Sequence, residues 1–143
     1  MLFRSGRQLQ PEVVSDIYQR FEGITWYMQR VLNGLYSITL PGTVCSPDMI
    51  DGVINGILQA NEFTYQSMLF QLPLKQKELL IAISKAGKAQ NITSTAFVRR
   101  YHLSSPSSVQ SAVKGLLEKN FITSALGVYE VYDRFFAMWL NRK

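Results

Sequence analysis

Residues 105–117, SPSSVQSAVKGLL, limit the possible folds more than any other stretch of the chain. Ser105 offers a side-chain oxygen to the unpaired amides of a first helical turn. Pro106 follows at the first helical position, where its missing N–H is no loss. Val109, Ala112, Val113, Leu116 and Leu117 then recur along one face of a helix. A helix with such a stripe has to bury it against neighbours. The opposite face collects Ser107, Gln110, Ser111, Lys114 and Glu118.

The neighbours are legible on both sides. "PLKQKELLIAISKAG" is a helix with Leu79, Leu80 and Ile83 inward and Gly87 as its stop. "NITSTAFVRRYHL" is a short helix capped by Thr93 or Ser94, with Phe97 and Tyr101 stacked four residues apart. Tyr101 to Pro106 leaves room only for a tight turn. Two β-prone runs meet at Leu126-Gly127 and read as a hairpin, and Asp133 caps a last helix. Helix, helix, turn, helix and hairpin form the layout of a winged helix-turn-helix.

The first half is also helical. Gln10-Pro11 opens one helix, "ITWYMQRVLNGLY" forms a second, and residues 48–70 form either one long helix or two with a break near Asn61. The expected fold class is therefore mainly α: a helical bundle followed by a winged helix-turn-helix with one short β-hairpin. The expected divisions are a disordered or non-native leader at 1–7, the bundle at 8–71 and the winged-helix domain at 72–143.

Charge separates the halves. Residues 1–70 hold four Arg and no Lys against six acids, whereas residues 71–143 hold eleven Lys or Arg against four. The basic half is suited to a polyanion. One serine suffices to cap the helix at 106, so the surplus hydroxyls and Gln110 are expected to face a DNA groove from its first turns. The base-edge candidates are Ser105, Ser107, Ser108, Gln110 and Ser111. The phosphate candidates are Lys75, Lys77, Arg99, Arg100, Lys114 and Lys119. Against duplex DNA stand a wing tip, Ala125-Leu126-Gly127, with no cation, and Glu118 on the same face. Two readings stay open here: contact with double-stranded DNA, or a solvated or protein-docking face. Docking predicts an exposed apolar patch at Tyr129, at Phe136 or on the helix 48–70.

Other chemistries are poorly provided for. His102 is the single histidine, which excludes zinc sites built on His clusters; at a helix end, it is expected to meet backbone carbonyls. No G-x-S-x-G setting surrounds any serine. No G-x-x-x-x-G-K-[ST] loop occurs, so the chain is expected to be no enzyme and to hold no nucleotide phosphate itself. The single Cys45 precludes an internal disulfide; with no signal peptide and no membrane-length apolar run, a cytoplasmic location is expected.

Ser107-Ser108-Val109-Gln110 with Ala112, Lys114 and Leu116, and then Val131-Tyr132-Asp133, Phe135-Phe136-Ala137 and Trp139-Leu140, resemble the C-terminal winged-helix region of archaeal-type, STAND-like AAA ATPases, also found in bacteria. Arg134 stands where that pattern has proline. "FEGITWYMQRVLNGLY" is similar to the lid helix of the same ATPases, with Thr25 in place of a proline. The resemblance implies that this chain is a regulatory C-terminal piece of an ATPase, with ATP held by an upstream core. It also implies that the winged helix binds DNA weakly or docks on that core, and that Gly23, Thr25 and Trp26 sense the nucleotide. The alternatives are a protein-interaction winged helix and a standalone transcription regulator.

Overall fold

The computed structural model describes residues 8–143; the expected leader at 1–7 lies outside the described residues. The chain divides into two compact units, the first ending at Ala60 and the second spanning Asn61–Lys143.

In the first unit, strand β1 (Gln8–Leu9) precedes helices α1 (Pro11–Arg20) and α2 (Thr25–Ile38); strand β2 (Val44–Cys45) and helix α3 (Met49–Ala60) follow. Pro11 starts α1 as expected. Val13, Ile17 and Phe21 on the α1 side, Val31 and Leu35 on α2, and Ile50 and Ile54 on α3 are buried. Helices α2 and α3 come close together because residue 34 is glycine: a Cβ there would stand 2.4 Å from Val53 Cγ1. Arg20 donates to Asp16 and to Asp51, both at 2.7 Å, and so ties α1 to α3. Those two carboxylates hold the guanidinium pKa above its ordinary value. The strands were not expected: β1 and β2 pair in parallel, Gln8 opposite Val44 and Leu9 opposite Cys45.

The second unit opens with helices α4 (Glu62–Phe70) and α5 (Leu74–Ala86), and continues through α6 (Thr95–Arg100) and α7 (Pro106–Glu118). Strands β3 (Ile122–Ala125) and β4 (Val128–Val131) and helix α8 (Arg134–Asn141) complete it. Residues 48–70 are thus two helices, broken at Asn61. The caps follow the sequence. Ser94 accepts from the Phe97 amide at 3.1 Å, and Ser105 from Ser108 at 3.2 Å. Asp133 accepts from both Phe135 and Phe136. Gly87 ends α5 with φ +76°, a left-handed conformation that favours glycine. The hairpin pairs Ile122 with Val131 and Ala125 with Val128, so that Leu126 and Gly127 alone make its turn.

Two expectations are corrected here. The second unit begins at Asn61, not at 72, because α4 belongs to its core: Tyr65 stacks on Phe136 at 5.2 Å and lies 5.6 Å from Trp139, and the Trp139 indole N–H donates to Glu62. The aromatic cluster behind the wing is therefore built from Tyr65, Phe121, Phe136 and Trp139, while Tyr132 is exposed. Phe97 and Tyr101 do meet, with ring centroids 4.7 Å apart, but tilted by 52° rather than stacked.

Candidate nucleic-acid interface

Helix α7 is built as its apolar stripe dictates. Val109, Ala112, Val113 and Leu116 are buried, and Leu117 is half-buried. Ser107, Gln110, Ser111, Lys114 and Glu118 are exposed. Helix α5 lies against the inward side closely enough that a Cβ on Gly115 would sit 2.3 Å from the Gln76 amide.

The structure sorts the candidate contacts into committed and available side chains. Ser105 Oγ accepts the Ser108 amide and lies 3.2 Å from Ser107 Oγ, while Ser108 Oγ donates back to the Ser105 carbonyl at 3.1 Å. The serine surplus inferred from sequence is therefore mostly used by the cap itself; this corrects the expectation that only one hydroxyl would be needed. Lys75 donates to Ser104 Oγ and lies 3.9 Å from Glu78. Lys119 donates to Gln76 Oε1 at 2.9 Å, Lys77 lies over the Phe70 ring, and Arg100 lies over the Tyr101 ring. Arg99, Arg100, Gln110, Ser111 and Lys114 are exposed, and their side chains make no hydrogen bond or ion pair within the described residues; the Tyr101 ring contact leaves the Arg100 guanidinium available.

Beside Gln110 is a cleft of about 300 Å³ lined by Asn91, Ile92, Thr93, Gln110, Val113 and Tyr129. It forms because Ala89 and Tyr129 exchange backbone hydrogen bonds at 2.8 Å, which pins the loop after α5 along β4. Asn91, with φ +52°, turns that loop toward α6. Sequence reasoning missed Asn91 and Thr93; the signal was a polar run, QNITST, between a helix stop and a helix cap.

The remaining chemical candidates are weak. His102 makes no side-chain bond among the described residues; its backbone, at φ +56°, forms the turn before α7. Cys45 is buried, and desolvation raises its thiol pKa, which disfavours the nucleophilic thiolate. Among the described residues no cluster of His, Cys, Asp and Glu is placed to hold a metal, and no helix is long and apolar enough to cross a membrane. In the first unit Gly23 and Thr25 sit at the α1–α2 turn, and Trp26 is exposed with its edge toward Tyr27. The amides of Glu22, Gly23 and Ile24 bond the carbonyls of Gln19, Tyr18 and Phe21 in turn.

Three helices with a tight turn before the third, and a hairpin whose second strand pairs with the loop after the first helix, define a winged helix. The chain belongs to the family described as a probable winged helix domain, which matches residues 63–142. No curated protein and no solved structure matches it. The family match starts two residues inside the second unit, and so includes α4 as the packing does.

Proposed function

We propose that the second unit binds double-stranded DNA weakly through the outer side of α7, as a non-catalytic regulatory module. The observation that carries this reading is the exposed row Gln110, Ser111 and Lys114, whose side chains are unengaged among the described residues, directly behind a helix start that completes its own cap. Lys114, Arg99 and Arg100 supply phosphate contacts, and Gln110 and Ser111 face base edges. Few cations remain available, which favours modest affinity. The wing adds no phosphate contact, because Ile122–Ala125 and Val128–Val131 carry Glu130 as their sole charge.

Fluorescence anisotropy of a labelled duplex at several salt concentrations tests this. Three phosphate contacts predict that log K falls against log salt with a slope of about −2.7. Removing Lys114, Arg99 and Arg100 together flattens that slope. Absence of duplex binding at low salt would dispose of the reading.

That the chain regulates a larger ATPase rests on the sequence resemblance of residues 73–142 and, in the first unit, of Gly23 to Trp26. ATP would belong to that upstream core. A second reading, docking on the core or on another protein, draws support from Phe63 and Phe70. These side chains are 81% and 82% exposed and flank a shallow groove on α4 with Gln66, Ser67 and Gln71. Phe136, the other expected docking residue, is buried, and Tyr129 is half-buried.

A further inference from the structure

The cleft between α7 and the α5–α6 loop has a chemistry of its own. Two carboxamides, Asn91 and Gln110, line it together with the Thr93 hydroxyl and the Tyr129 phenol; Ile92 and Val113 complete the wall. None of these side chains is charged, so the cleft is ill suited to a phosphate and well suited to a neutral donor–acceptor pattern. A carboxamide presents one donor and one acceptor side by side. In the major groove only adenine offers the complementary pair on one base, its N6 donor beside its N7 acceptor, whereas guanine shows two acceptors there. Gln110 reaches this position from the second turn of α7, exposed and with no side-chain bond among the described residues. The apolar wall and the Thr93 methyl match the 5-methyl group of the paired thymine.

We propose that Gln110, beside Asn91, reads the edge of one adenine in an A·T pair and is the specificity-determining residue of this surface. The inference rests on the DNA reading above, and its test separates the two. Binding-site selection is run with the whole chain on a randomised duplex pool at low salt. The wild-type protein enriches adenine at one position by about tenfold, within the range for a bidentate base contact. Gln110→Ala loses that enrichment while the salt slope, set by charged side chains, persists. Gln110→Glu, which only accepts, moves the preference to cytosine, whose N4 donates. Gln110 is exposed, so circular dichroism melts of both variants should match wild type and rule out misfolding. Pool binding by the wild type with no adenine preference, or a preference that survives Gln110→Ala, overturns the inference and leaves DNA binding standing. Failure of the wild type to bind the pool at all removes the underlying reading, and this inference with it.

Discussion

Leu126 is an unfavourable residue for its position. Its φ is +53°, followed by Gly127 at +76°, so the hairpin closes with two left-handed residues, the arrangement in which Asn-Gly is preferred. The leucine side chain is fully exposed and gains nothing from burial. A left-handed conformation costs an ordinary L-residue about 1–2 kcal/mol, and asparagine tolerates it far better. Leu126→Asn should therefore raise stability by about 1 kcal/mol, seen as a higher urea midpoint with an unchanged m-value. Duplex affinity should not change, because the tip carries no phosphate contact in the proposed mode. A lower midpoint would mean that the leucine makes contacts worth more than its strain.

Among the elements, α8 depends on a single side chain for its start. Asp133 Oδ1 accepts the amides of Phe135 at 2.9 Å and Phe136 at 3.2 Å, and the carboxylate also complements the positive end of the helix. Because Phe135 and Phe136 are buried, a frayed first turn would loosen the core as well as the helix. Asp133→Ala should cost about 1–2 kcal/mol, at the upper part of the range for a lost cap, measured by thermal or urea unfolding. Such local signals explain why helix starts were legible in the sequence: Ser94, Ser105 and Asp133 accept amides within three residues of themselves, and Pro11 and Pro106 preset the backbone of a first turn. The stop at Gly87 and the hairpin turn at 126–127 are equally local. What could not be read is nonlocal. The parallel pairing of Leu9 with Cys45 joins two-residue strands with no alternating pattern to announce them. The engagement of Lys75 with Ser104 and of Lys119 with Gln76 depends on how α5 lies beside α7, so sequence overcounted the available cations. Asn91 and Thr93 become neighbours of Gln110 only when the loop after α5 pairs with β4.

For the whole molecule, the instructive element is α4. Its apolar residues, Phe63, Tyr65, Met68, Leu69 and Phe70, follow no single stripe, so the sequence pattern could not assign it to either neighbour. In the structure Tyr65 is 6% exposed against Phe136 and Trp139, and Glu62 accepts the indole N–H of a Trp139 that is itself buried. A winged helix cut at residue 72 loses the burial of one large aromatic, about 2 kcal/mol, and the hydrogen bond of the Trp139 indole to a charged carboxylate, about 1.5–3 kcal/mol. Against a typical total stability of about 5–15 kcal/mol, that is a large fraction. The segment 61–143 should fold on its own and unfold cooperatively. The segment 72–143 should be less stable by about 3 kcal/mol or more, with Trp139 fluorescence shifted toward that of a solvated indole. Trp139 is the only tryptophan of either segment, so the emission reports on this contact alone. Within residues 61–143, Tyr65→Ala should reproduce most of the loss, which ties it to the packing of α4 rather than to the shorter chain. Equal urea midpoints for the two segments would place α4 outside the cooperative core and return the boundary to residue 72.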